Sequence, residues 1–579
     1  MKETSPQIAY SLFMPTPHTH YFEVSIHFSS LLSHQNQDFM DITLPVWTPG
    51  SYLIREYARH VESFRAEDQG KKPLKTQKTR KNSWRVFFKG IDFSVSYKVY
   101  AFDLSVRTSY LDESHAYLNG ASVFMFAEGL EHLPASLHIH PYTAWTKIST
   151  PLSPAATDPF VLAIPNYDVL VDSPIEIGTH EIIQFEAEGV LHKAAIYGLP
   201  RLPQPEILVK DIQSIVRASK SIFGELPVED YTFIILFTEK NGGGLEHANA
   251  TSLQFSREKV QTSKGYRQFL SLLAHEYFHL WNVKRLRPYP LGPFDYNQEN
   301  YTTLLWQAEG FTSYYERLIM LKAGLISTEE YLSSLAESIN YVENQPGNQI
   351  QSLSESSLDA WIKAYRPHEN SANTTVSYYT KGAVIAFLLD LTLIYRSEGR
   401  YSLDEVMQSL YQEYYKKHSR GFSEEELQKN LEHFTGQPLE DFFEKYIHGT
   451  EEIDYAFYLD WVGLELIHEP KEGLDTGMTL NDNLITFVKR DSCAYDSGLQ
   501  AYDKIVSING QAIEEIAHWL SFRNEGETLR FQVIREGLFR EIPVILRHLP
   551  VVNFKLSPQE KTNEAQQKLL ERLLRQSPC

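Results

Sequence analysis

The chain has 579 residues, 42% hydrophobic and 22% charged, which excludes wholesale disorder and predicts roughly four domains at about 150 residues each. Lys and Arg number 54 against 74 Asp and Glu, and the net charge of −20 disfavours nucleic acid and anionic membrane surfaces as partners. Only Cys493 and Cys579 are present, too few for a disulfide framework or a cysteine zinc site.

The opening Met1-Lys2-Glu3-Thr4-Ser5-Pro6-Gln7 lacks the apolar stretch of an export signal. No uninterrupted run of about 18 apolar residues follows, and mean hydropathy is −0.33, so a cytoplasmic protein is expected. Residues 1–202 read as β. Phe22, Val24, Ile26 and Phe28 alternate with polar residues, and Phe93 to Tyr100 repeats the period. Thr48-Pro49-Gly50 and Asn119-Gly120 are turn signals, and many short strands suggest a β-sandwich.

Near Leu202-Pro203-Gln204-Pro205 the period changes. Residues 206–223 predict a helix, Tyr231 to Phe237 a strand, and Gly242-Gly243-Gly244 follows. From about Gly265 to Gly449 most segments have a helical period. Ser402 with Glu405, and Ser423 with Glu426, have capping-box spacing. Residues 460–549 return to short strands and turns. In the tail, 550–579, Leu569, Leu570, Leu573 and Leu574 predict a small helix.

His275-Glu276-Tyr277-Phe278-His279 carries the chemistry. It follows Phe269-Leu270-Ser271-Leu272-Leu273-Ala274, a helix former without Pro or Gly, so residues 275 and 279 share one face. Two imidazoles so placed can hold one ion, and Glu276 projects beside it as a base for water. A catalytic zinc wants a third protein ligand. Glu299 lies in a loop-like stretch, whereas Glu309 lies in a second apolar helix and is the better choice. Glu316, two turns further along that face, can accept the second N–H of a ligating histidine. His138 with His140, and His18 with His20, have no third ligand near in sequence and read as structural.

The stretch from His275 to Pro288, followed by Trp306-Gln307-Ala308-Glu309-Gly310-Phe311-Thr312, resembles the PDZ-containing glycyl aminopeptidases, gluzincins distantly related to aminopeptidase N. Leu44 to Tyr52 and Asn119 to Phe124 resemble that family's N-terminal β domain. The resemblance implies a multidomain α+β protein: an N-terminal β-sandwich (1–202), a thermolysin-like zinc peptidase domain with a helical continuation (203–459), a PDZ domain (460–549) and a tail. It implies one Zn2+ per chain and removal of N-terminal residues, preferentially Gly or Ala, from peptides with a free N-terminus.

By the same resemblance Gly243-Gly244-Leu245-Glu246-His247 is a substrate-binding edge strand whose Glu246 holds the α-amine. A glycine-bordered backbone approaches a peptide closely, and a carboxylate pairs with an ammonium. Tyr378-Tyr379-Thr380-Lys381-Gly382 resembles the segment whose tyrosine donates to the oxyanion. The match falls on Tyr379, with Tyr378 as the neighbouring alternative and Thr380 replacing the usual acid. Ser492 to Gly510 resembles a bacterial PDZ domain, with Cys493 where proline is usual and Tyr502 where glycine is usual. Either a carboxylate-binding loop near Gly477 to Leu480 takes a peptide C-terminus there, or the domain is a structural addition. The competing functions are a zinc endopeptidase, which has no need of Glu246, and a non-catalytic PDZ-containing scaffold. Intact His275, Glu276, His279 and Glu309 speak against the scaffold.

Overall fold

In this computed structural model the described residues are 7–29, 38–88, 92–199, 204–240, 242–469, 474–512, 514–520, 522–549 and 551–575. The expected boundary at 202/203, residue 550 at the start of the tail, and Cys579 lie outside them. The chain forms two compact units. The first comprises Met1–Tyr301, Ala323–Leu325 and Leu410–Phe422, and the second Thr302–Lys322, Ile326–Ser409 and Ser423–Cys579.

The first unit begins with sheets. A six-stranded sheet runs Val161–Ile164, Ala135–His140, Gln7–Phe13, Tyr21–Ser29, Phe93–Tyr100, Val61–Asp68. The alternation predicted for Phe22 to Phe28 is present: these side chains are buried and the intervening residues are not. Phe28 faces Phe93 across the antiparallel pair, with ring centroids 4.9 Å apart. Two four-stranded sheets add further layers, and Leu12, Ile26, Ile42, Val86, Val95, Leu118 and Ile177 from all three sheets join one core. Asn119-Gly120 does not turn a hairpin: the Asn119 side chain caps a short 3-10 helix, Gly120–Ser122, by accepting from the Ala121 N–H.

A five-stranded mixed sheet follows, ordered Glu181–Ala187, Val190–Tyr197, Asp230–Thr238, Ala250–Ser256, Gly243–Glu246. Its middle strands pair in parallel and are buried on both faces, which is why Tyr231 to Phe237 is continuously apolar. The predicted helix is Pro205–Phe223, stopped by Gly224 in the left-handed region. A second helix, Ser263–Phe278, is capped by the Thr262 side chain, which accepts from the Gly265 N–H. Phe269 packs on Phe237 and Phe255, and His192 and Tyr277 share a 3.0 Å hydrogen bond.

The second unit is helical around Tyr378–Arg396. The stretch Ser371–Arg396 is long and apolar enough to cross a membrane by length and composition, yet 83% of that window is buried. It behaves as the core helix of a folded unit. The Ser423–Glu426 capping box is complete, and Glu405 accepts from both the N–H and the hydroxyl of Ser402.

Further along, five antiparallel strands between Met478 and Ile545 enclose a separate core of Ile485, Ile508, Phe531 and Val544. The tail is more than a helix: Phe554–Pro558 pairs with Leu464–His468 before the helix Glu564–Leu573. Arg575 then reaches the buried carboxylates of Asp390, at 2.8 Å, and Asp404, at 3.1 Å.

Candidate active site

In the first unit the site grows from the end of the helix Ser263–Phe278. His275 and Glu276 occupy its last turn and His279 follows as its C-cap, all three buried. The rings of His275 and His279 lie 4.8 Å apart at 81°, as one-turn spacing dictates. His279 Nδ1 bonds the Asn282 carbonyl at 2.7 Å, so this nitrogen carries the proton and Nε2 is left as the donor atom. The turn supplying that carbonyl is strained, for Val283 has φ 132°, a value rare for a β-branched residue.

The edge strand Gly243–Glu246 brings a second carboxylate. Period 2 puts Gly244 and Glu246 on one face. A Cβ at Gly244 would lie 2.3 Å from Glu276 Oε1, so the missing side chain is what lets Glu276 occupy its position. One ligand atom each from Glu246, Glu276 and His279 lie within 4.8 Å of one another, a set able to hold a cation.

Several groups outside the predicted set hold this strand. The Arg107 guanidinium donates to the Gly244 carbonyl at 3.0 Å and the Gly242 carbonyl at 3.3 Å. Behind it, Asp172 accepts from the Ala248 N–H at 2.9 Å and from Lys284 Nζ at 2.7 Å, with His247 Nδ1 at 3.2 Å. Against the upward push of burial, Lys284 and His247 hold the Asp172 carboxyl down at about 2. Arg285 donates to the carbonyls of Ala248 and Leu280 at 2.9 and 2.8 Å, tying the end of this strand to the end of the histidine helix.

In the second unit Glu309 is buried in a π-helical segment, Trp306–Phe311, that runs into the helix Thr312–Lys322. A π-turn inside a helix carries one extra residue per turn and re-aims the side chains it holds, so it recurs at functional sites. Its neighbour is the first turn of Tyr378–Arg396. A Cβ at Gly310 would lie 2.5 Å from the Gly382 Cα, so the two backbones touch where both residues are glycine.

That crossing brings Tyr379 close to Glu309. Burial, and then the Glu309 charge, raise the Tyr379 hydroxyl well above its ordinary pKa. Tyr378 stacks on Tyr379 at 4.6 Å and is the more deeply buried of the two. Glu316 is half-buried, and the neighbouring Arg317 donates to the Ser334 carbonyl and the Ser338 hydroxyl. Glu299 lies in the irregular stretch before this segment.

Of the other paired histidines, His138 meets the Ser136 hydroxyl, His140 stacks on Phe13 and His20 meets the Leu111 carbonyl. The supporting groups Arg107, Asp172 and the Asn282 carbonyl carry no signal in the sequence for these roles.

Residues 9–179 match the Peptidase M61 N-terminal domain, and residues 268–385 match the M61 glycyl aminopeptidase domain. The chain is similar to an aminopeptidase N family protein from Idiomarina loihiensis: 31% identity over 99% of this chain and 100% of that one, with a TM-score of 0.92. An M1 zinc metallopeptidase from Deinococcus radiodurans is 14% identical over 77% of this chain and 94% of its own, with a TM-score of 0.48. No curated protein sequence matches the chain. With both family domains present and full-length similarity to the Idiomarina protein, the chain belongs to the M61 glycyl aminopeptidase family and is a metallopeptidase of the aminopeptidase type.

Proposed function

We propose that the protein is a zinc-dependent aminopeptidase that removes small N-terminal residues, Gly or Ala, from peptides with a free N-terminus. The convergence of Glu246, Glu276 and His279 carries the reading. A base for water and a carboxylate for an ammonium lie one residue's reach apart beside a histidine whose second nitrogen is already committed. The size preference comes from the family resemblance.

His275, His279 and Glu309 are the proposed ligands of one Zn2+ per chain. Two imidazoles and a carboxylate suit that borderline cation, and the Asn282 carbonyl orients His279 for it. Glu316 is the proposed acceptor for the second N–H of a ligating histidine. Bound there, zinc supplies Lewis acidity to the scissile carbonyl and to the attacking water.

The residues of the chain do the rest. Glu276 accepts the water's proton on a carboxylate oxygen and passes it to the leaving amine. The Tyr379 hydroxyl, kept protonated by burial, donates to the carbonyl oxygen as charge develops. Glu246 pairs with the α-ammonium, and the strand from Gly243 offers main chain to the peptide.

We further propose an N-terminal β-sandwich within residues 1–202, whose last two strands, Glu181–Ala187 and Val190–Tyr197, pair into the sheet of a thermolysin-like catalytic domain (203–459), and a PDZ domain (460–549) that either takes a peptide C-terminus or is a structural addition. The separate core of the last sheet supports the PDZ part of that division. So does Tyr502, whose φ of 73° is the backbone a glycine would adopt there. Cytoplasmic residence is proposed with them.

Replacing Glu246 tests the function. Glu246→Ala should raise KM for free-amine peptides and lower kcat/KM by roughly 10–150-fold, the worth of one charged hydrogen bond. Unchanged kinetics would sink the aminopeptidase reading in favour of an endopeptidase.

A further inference from the structure

The Glu246 carboxylate lies flat against Gly50. A Cβ built at Gly50 would come within 2.5 Å of Oε1, 2.7 Å of Oε2 and 2.8 Å of Cδ, closer than any real side chain permits. Gly50 also sits at φ +82°, in the left-handed region. Glycine is required twice, once by its backbone and once by its neighbour.

Neither backbone has room to retreat. The turn is closed by the Ser51 N–H to the Thr48 carbonyl at 3.1 Å and flanked by Arg55 N–H to the Val46 carbonyl at 2.8 Å. Arg55 donates to the Ser51 hydroxyl at 2.9 Å, and the Trp47 indole donates to the Asp295 carbonyl at 2.8 Å. Trp47, Thr48, Ser51 and Tyr52 are all buried. On the other side Arg107 and Thr251 hold the carbonyls of Gly244 and Leu245. With both backbones anchored, the carboxylate itself is the part that must yield to added bulk.

We propose that Gly50 is a specificity-determining positioning residue: its turn is the seat that aims the Glu246 carboxylate at the substrate's α-ammonium and walls off longer N-terminal extensions. The proposal rests on the reading of Glu246 as the amine-binding group. Gly50 acts through Glu246 and touches none of the reacting atoms. It therefore governs how tightly a free N-terminus is held and leaves the proton transfers of Glu276 untouched.

The test is a double-substitution cycle in zinc-loaded full-length enzyme carrying Glu276→Gln, so that peptides bind without being cut. The dissociation constants of Ala-Ala-Phe and N-acetyl-Ala-Ala-Phe are measured by calorimetry for the Gly50→Ala, Glu246→Ala and combined variants, with melting temperature and zinc content recorded for each. Gly50→Ala should weaken the free peptide by about 10-fold, leave the acetylated one within about 2-fold, and add less than about 2-fold on top of Glu246→Ala. Equal losses in both Glu246 backgrounds, or no loss in a protein that melts like the parent, overturn the proposal. If Gly50→Ala does not fold, Ser51→Ala loosens the seat without a left-handed substitution, and an unchanged ratio of free to acetylated affinity would refute the idea. A Glu246→Ala variant that binds free peptide like the parent removes the amine reading itself, and Gly50's role with it.

Discussion

Gly244 and Glu276 fit together as a missing side chain and the carboxylate that fills its place: a Cβ at 244 would lie 2.3 Å from Glu276 Oε1. The contact joins the edge strand that presents Glu246 to the helix that presents the two histidines. One glycine thus links the proposed peptide-binding strand to the proposed base.

Gly244→Ala should therefore act on catalysis, because the methyl group occupies the space of the base. We expect kcat to fall by about 10²-fold or more, approaching the roughly 10²–10⁴-fold loss predicted for Glu276→Gln, with zinc retained in both. Steady-state kinetics with metal analysis checks this. A Gly244→Ala enzyme within a few-fold of the parent would show that Glu276 does not work from this position.

The third ligand is tested by zinc content. Glu309→Ala should lose zinc on dialysis against a chelator under conditions where the parent holds one ion per chain, and activity should go with it. Glu299→Ala should keep both. The reverse pattern would move the ligand to Glu299.

Tyr379→Phe should lower kcat by roughly 10²–10³-fold with little change in zinc, the signature of a lost oxyanion donor. Tyr378→Phe should cost less in kcat, since its hydroxyl is assigned no reacting atom. If Tyr378→Phe shows the larger fall, the roles of the two stacked rings are exchanged.

Lys381 gives a pH-dependent stability. Burial pushes its ammonium down to about 8, with the Glu343 carboxylate opposing that shift. Between pH 8 and the unfolded value near 10.4 the unfolded chain binds more protons than the folded one, so this residue makes stability rise with pH. From pH 7.5 to 9.5 the contribution is on the order of 1–2 kcal/mol. Urea unfolding should show it as a difference between the parent and Lys381→Met, whose stability lacks this component and is higher at neutral pH. Parallel pH dependences in the two proteins would contradict it.

The chemistry-bearing elements were legible because each has a local signature. His275 and His279 share a helix face by spacing, Phe22 to Phe28 alternate, and Gly243-Gly244 precedes Glu246 on a short strand. What stayed hidden is long-range or carried by main chain. Gly50 meets Glu246 across a large sequence separation, and the Asn282 carbonyl that orients His279 is a backbone atom any residue could supply. The π-turn around Glu309 inserts a residue that no helical period reveals. The strand Phe554–Pro558 was missed because its pattern makes sense only beside Leu464–His468. Asn119-Gly120, read as a turn, caps a 3-10 helix, since the same side-chain acceptor serves either purpose.

Recognition of a free α-amine by this metallopeptidase, as proposed, is tested most directly by comparing one peptide with and without an N-acetyl group. Zinc-loaded enzyme should release the N-terminal residue of Ala-Ala-Phe and leave N-acetyl-Ala-Ala-Phe essentially uncut. Cleavage of the acetylated peptide within a few-fold of the free rate, at an internal bond, would contradict the account and identify an endopeptidase.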